Sequence, residues 1–150
     1  MNPLKKLASQ TAIYGLSSVV GRLLNYLLVP LYTRYFLPAE YGVVTELYAY
    51  VAFLVVILTY GMETAFFRFS KKEETTKVYS TTLISLLISS VVFVGLIFLN
   101  SSAISQWMGY ANHPEYIQFF ALIIGMDAVS SISFAKLREQ DKAMRFAFIR

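Results

Sequence analysis

Four long, mostly apolar stretches, at about 7–37, 41–67, 78–99 and 116–135, alternate with short polar segments that hold most of the charge. Each reaches the roughly 20 residues that a helix needs to cross about 30 Å of hydrocarbon. Nothing between them follows the two-residue alternation of a membrane β-strand. The pattern therefore predicts an all-α integral membrane protein with four transmembrane helices. After Lys136-Leu137-Arg138-Glu139-Gln140 the chain turns apolar again at Ala143, as at the start of a fifth helix. The 150 residues are thus expected to be the N-terminal part of a larger bundle.

Composition supports a lipid solvent: 57% of residues are hydrophobic and 15% charged, with a mean hydropathy of +0.56. A net charge of +4 raises nucleic acid as a partner, but the distribution excludes it. Lys5 and Lys6 precede the first stretch, and Arg68, Lys71, Lys72 and Lys77 surround the second connection. Lys136, Arg138, Lys142 and Arg145 follow the fourth stretch, whereas 100–115 contains no Lys or Arg. This alternation predicts a cytoplasmic N-terminus, with the membrane's anionic lipids as further partners of the basic loops. The two lysines before an apolar run resemble a secretory signal. The run is too long for one, and a second follows almost at once, so an uncleaved first helix is expected. There is no cysteine, which excludes disulfides and thiolate metal sites.

The first helix would be about 46 Å long at 1.5 Å per residue, so it must tilt, bend or project from the bilayer. Pro30 removes a backbone donor and offers a place to bend. The helix is expected to stop before Pro38, with Glu40-Tyr41-Gly42 opening the next and Tyr32, Tyr35, Phe36 and Tyr41 gathered at the outer interface. The second stretch, with Gly61 inside it, is expected to run as one helix to Arg68. Ser85, Ser89 and Ser90 suit close helix packing in the third. The part of the outer loop from 104 to 110 is expected to lie along the membrane surface.

Ionisable residues inside the spans are the most informative positions, because one at mid-bilayer costs about 2.5–3.5 kcal/mol on the insertion scale. Arg22 shares a helical face with Thr11, Gly15, Ser18, Tyr26 and Thr33, with Asn25 at its edge. Such a stripe faces protein or a water-filled cavity rather than lipid. Asp127 lies at about the same depth in the fourth stretch. Two readings stand side by side: an Arg22–Asp127 ion pair, or Arg22 as a cation for an anionic substrate with Asp127 tuning it or titrating with a coupling cation, proton or sodium. Arg34 and Glu46, both near the outer turn, fit a structural ion pair, and Glu63 and Arg68 fit snorkelling to the interface as well as they fit a functional role. His113 has no companion ligands. No nucleotide loop, catalytic triad or metal-spacing motif is present, so neither enzyme chemistry nor a cofactor is expected.

Four sequence elements carry a resemblance: Gly21-Arg22, Pro30-Leu31-Tyr32-Thr33, Leu37-Pro38-Ala39-Glu40-Tyr41-Gly42, and Tyr60-Gly61 followed by Arg68. Together they resemble the polysaccharide and O-antigen flippases of the multidrug/oligosaccharidyl-lipid/polysaccharide exporter superfamily. The resemblance implies a two-lobe bundle around a central cavity in the cytoplasmic (inner) membrane, of which this chain is the first part. It also implies alternating access that carries an oligosaccharide on undecaprenyl diphosphate to the outer leaflet, for polysaccharide or lipopolysaccharide synthesis. On this view Arg22, with Ser18, Asn25 and Tyr26 beside it, binds the diphosphate. Relatives that flip the peptidoglycan precursor add cations in the second helix, where this sequence has Glu46. A multidrug exporter of the same fold is the alternative, although exporters of organic cations tend to carry a carboxylate in the first helix and this one has none. A small membrane structural bundle or a glycan enzyme is the third reading.

Overall fold

The computed structural model describes residues 3–149, without the side chains of residues 3–10, Tyr14, Ser17, Ser18 and Ala143. The described residues form six helices and no strand: α1 (Pro3–Tyr35), α2 (Pro38–Thr59), α3 (Met62–Phe69), α4 (Thr75–Trp107), α5 (Pro114–Glu139) and α6 (Ala143–Ile149). Among them, three stretches are long and apolar enough to cross a membrane: Pro38–Phe69, Thr75–Trp107 and Pro114–Glu139. Only 17%, 17% and 33% of their most apolar windows are buried. Most of their apolar surface therefore faces outward, as suits lipid and not water. The first expected span, 7–37, falls on α1, while Lys5 and Lys6 lie outside the described side chains.

The chain divides into two compact units, Met1–Glu46 with Lys136–Arg150, and Leu47–Ala135. In the first, α6 lies against α1. Phe146 is buried, and the Arg138 guanidinium sits 5.8 Å from its ring centroid. Asp141, at φ 56°, lets α5 end in a left-handed turn closed by Lys142 N–H donating to the Leu137 carbonyl at 3.0 Å. α1 runs without interruption through Pro30, and the Thr33 hydroxyl donates to the carbonyls of Val29 and Pro30 at 3.1 and 3.2 Å.

The short link between α1 and α2 has a clear chemical origin. Pro38 occupies the first helical position, where its missing N–H costs nothing. Glu40 reaches back so that its Oε2 accepts the Leu37 N–H at 3.0 Å, half of a capping box. Tyr32 packs on both Phe36 and Tyr41, with ring centroids 6.0 and 6.4 Å apart.

In the second unit, α5 buries Ile117, Ala121, Ile124, Gly125, Ala128, Ile132 and Ala135, a stripe spaced by threes and fours in which small residues alternate with isoleucine. Small side chains are what let helix backbones approach in lipid, where no hydrophobic force drives them together. A methyl group on Gly125 would come within 2.9 Å of Val94 Cγ2 and 3.8 Å of Ser90 Cβ. α4 answers with its own buried line of Thr82, Leu86, Ser90, Ser101 and Ser105. Of the serines expected to favour packing, Ser90 meets Gly125, Ser89 turns back to the Leu86 carbonyl, and Ser85 bonds Tyr60.

Two expectations are corrected. The outer loop does not include 104–107: α4 continues through Trp107, and Gly109 at φ 83° turns the chain, with Tyr110 N–H donating to the Ser105 carbonyl at 2.7 Å. Glycine adopts that left-handed geometry without the steric cost other residues meet. Likewise, the second apolar stretch is not one helix. It breaks at Tyr60 (φ 33°) and Gly61 (φ 73°), and α3 then folds against α4. Phe66 is fully buried among Leu86, Ile132 and Ala135, while α2 packs through Val51 and Leu58 onto Ile124 and Ala128. The left-handed backbone at Tyr60 costs about 1–2 kcal/mol. The Tyr60 hydroxyl meets Ser85 Oγ at 2.6 Å, a bond that offsets on the order of 0.5–1.5 kcal/mol.

Candidate functional site

The polar stripe on α1 is the strongest candidate. α1 is helical throughout Pro3–Tyr35, so Thr11, Gly15, Arg22, Tyr26 and Thr33 do share one face, with Asn25 one step to the side. Ser18 lies outside the described residues' side chains. Every residue from 19 to 40 is exposed, Arg22, Asn25 and Tyr26 included, and Tyr26 keeps 73% of its surface. The guanidinium therefore stands on a helix whose neighbouring positions, Val19, Val20, Leu23, Leu24 and Leu27, are apolar and exposed. Within its own unit, no described carboxylate pairs with Arg22.

The other expected residues are distributed differently. Arg34 is in the last turn of α1, where its cation complements the helix dipole. Glu46 is exposed on α2. Asp127 is exposed on α5, beside Met126, in the unit formed by Leu47–Ala135, and no cation pairs with it among the described residues of that unit. The first unit therefore groups Arg22, Asn25 and Tyr26 on one helical surface; Asp127 belongs to the second.

Two hollows lie among the described residues of the second unit. One, of about 190 Å³, is entirely apolar and lies among α2, α4 and α5, with Leu47, Val51, Trp107, Ile117 and Phe120 in its wall. Trp107 remains 81% exposed there. The other, of about 680 Å³, is an open groove between α4 and α5 floored by Ser90, Gly95, Gly125 and Ser130. Neither brings a charged group to its wall.

Polar contacts that the sequence did not announce hold this unit together. Gln118 Nε2 donates to Ser101 Oγ at 3.0 Å, the Tyr79 hydroxyl lies 3.3 Å from Ser133 Oγ, and Tyr60 meets Ser85. A serine or glutamine inside an apolar run was the available signal, but its partner is set by helix packing. At the turn before α5, His113 Nδ1 and Glu115 Oε1 are 2.8 Å apart, and the His113 ring stacks on Tyr116 at 4.8 Å. Among the described residues, no three His, Cys, Asp or Glu side chains come together as a metal site.

The family model described as polysaccharide biosynthesis protein matches residues 7–145, a stretch that contains every candidate residue named above. No curated protein and no solved structure matches the chain.

Proposed function

The chain belongs to the polysaccharide biosynthesis protein family, that of the O-antigen and polysaccharide flippases, and from that premise we propose that it is part of a flippase for undecaprenyl-diphosphate-linked oligosaccharide. In this reading α1 is the first of four spans, the N-terminus is cytoplasmic, and the bundle works by alternating access in the cytoplasmic membrane. Arg22 receives the diphosphate, with Ser18, Asn25 and Tyr26 as polar neighbours, and Asp127 serves a coupling cation or balances Arg22.

One observation carries the proposal: a guanidinium on an exposed, apolar helix, without a carboxylate partner in its own unit. A diphosphate crossing a membrane needs its charge matched where water is scarce. Arg does this with a planar fork that donates two parallel hydrogen bonds and stays ionised. The absence of Asp and Glu from 7–37 gives that helix the sign for an anion, opposite to what an exporter of organic cations would use.

Substitution separates substrate contact from a structural Arg22–Asp127 pair. Substrate contact predicts that Arg22→Ala folds but does not flip, that Arg22→Lys is at most partly active, and that adding Asp127→Asn restores nothing. A structural pair predicts the opposite, because breaking one leaves a buried charge at a cost of about 3–5 kcal/mol that removing the second charge relieves. Flipping is measured by surface glycan in cells, alongside folded yield in detergent. Normal flipping by the Arg22→Ala/Asp127→Asn variant would end the substrate-contact reading.

A further inference from the structure

The break between α2 and α3 is unexplained by its sequence. There is no proline within 39–69, and a lone glycine inside an apolar run is ordinarily tolerated in a helix. Yet two consecutive residues are left-handed, one of them a tyrosine, a geometry that is an outlier for a bulky side chain. No side chain caps the start of α3. At the end of α2, the Thr59 hydroxyl turns to the carbonyls of Val55 and Val56, at 2.9 and 3.2 Å.

We propose that Tyr60 and Gly61 form a two-position joint, latched in its bent position by the Tyr60–Ser85 hydrogen bond and able to straighten into one helix from Pro38 to Phe69 when that latch opens. Each position has its own source of stability. The bent form keeps Phe66 in its cluster with Leu86, Ile132 and Ala135 and keeps the latch. The straight form places the N–H groups of Gly61, Met62 and Thr64 opposite the carbonyls of Ile57, Leu58 and Tyr60, recovering backbone bonds that the bend forgoes. In lipid such backbone groups weigh heavily, since no bulk water competes for them. Phe66 leaving its cluster would enter hydrocarbon and not water, so the hydrophobic effect does not hold α3 down as it would in a soluble protein. Gly61 has no atom within 4 Å of where a Cβ would stand, so its role is conformational and not steric.

The joint belongs to the second unit alone and does not depend on the nature of any substrate. It would give the Lys71-Lys72 end of this span two shapes.

Hydrogen exchange of the full-length protein in lipid nanodiscs tests it, reading the amides of Met62 and Thr64. Tyr60→Phe and Ser85→Ala each remove the latch, and Gly61→Ala disfavours the left-handed turn without a clash. A joint predicts that all three slow exchange at these amides at least threefold, with the double variant Tyr60→Phe/Ser85→Ala no different from either single one, and with amides from Leu86 to Gly95 unchanged. A merely structural hydrogen bond predicts faster exchange at Met62 and Thr64 once it is lost. Unchanged or faster exchange overturns the joint. If the variants do not fold, carbon-13 shifts at Gly61 in the unaltered protein decide: two signals, left-handed and right-handed, support it, and a single left-handed signal overturns it.

Discussion

α1 and the α4–α5 pair are both apolar helices with polar residues set into them, but they place most of those residues differently. Along α4 and α5 the hydroxyls and the amide turn inward or find local acceptors: Thr82 on the Val78 carbonyl, Ser105 on Ser102, Ser131 on Ala128, and Gln118 on Ser101. Along α1 the described residues of the polar stripe stay exposed; Thr33 finds local acceptors in Val29 and Pro30, but no described carboxylate pairs with Arg22 within its unit. Polar groups in lipid are retained where they are satisfied or where they serve a passing ligand. The first explanation accounts for the hydroxyls just named and for the amide of Gln118, whereas Arg22 on α1 and the exposed Asp127 on α5 have no such partner among the described residues of their own units.

The largest effect is expected from Arg22→Leu. If the guanidinium contributes nothing to folding, its removal relieves the cost of placing a charge in a span, about 2.5–3.5 kcal/mol on the insertion scale. Membrane insertion of α1, measured by glycosylation-site mapping in microsomes, should rise, and folded yield should hold. A drop in yield would show that Arg22 is structurally paired after all and would erase the contrast between the two regions.

Several helix ends were legible in the sequence because they carry local chemistry. Pro38 with Glu40 opens α2, and Lys136-Leu137-Arg138 closes α5 among basic residues. The far end of α4 was not legible. Asn100-Ser101-Ser102 reads as a loop, but the Asn100 side chain donates to the Leu96 carbonyl at 2.8 Å and Ser101 to Phe98 at 3.1 Å, so these polar groups extend the helix they were expected to end. The joint at Tyr60 was hidden for a related reason: what bends it is tertiary, Phe66 seated beside Leu86 and a hydroxyl on Ser85. In the candidate site, the residue types on α1 were readable from spacing alone. A partner for Arg22 was not, since periodicity fixes which residues share a face of one helix and says nothing about what approaches that face.

A smaller effect is expected where α4 and α5 pack. Gly125→Leu forces a branched side chain into a place where even a Cβ lies 2.9 Å from Val94 Cγ2. Overpacking of this kind typically costs about 1–3 kcal/mol. Denaturation in mixed micelles should show that loss, and Val94→Ala should restore part of it by vacating the contact. An unaffected Gly125→Leu would mean that α4 and α5 are not closely packed at this point.

The smallest effect separates satisfied polarity from needed polarity. Gln118→Leu deletes the donor to Ser101 Oγ, but it does not orphan Ser101, whose hydroxyl still donates to the Phe98 carbonyl. The amide is only half-buried, and leucine fills similar volume without a polar group to desolvate. The expected loss is therefore that of one interhelical hydrogen bond in a membrane, about 0.6 kcal/mol and at most roughly 1.7. Because Ser101→Ala removes the same bond from the other side, the double variant should lose little more than Gln118→Leu alone, and the coupling between the two positions, taken from a double-mutant cycle, should match the single loss. Zero coupling would mean that Gln118 and Ser101 do not support one another in the membrane, and the internal satisfaction that distinguishes α4 and α5 from α1 would fail at the contact where it is most direct.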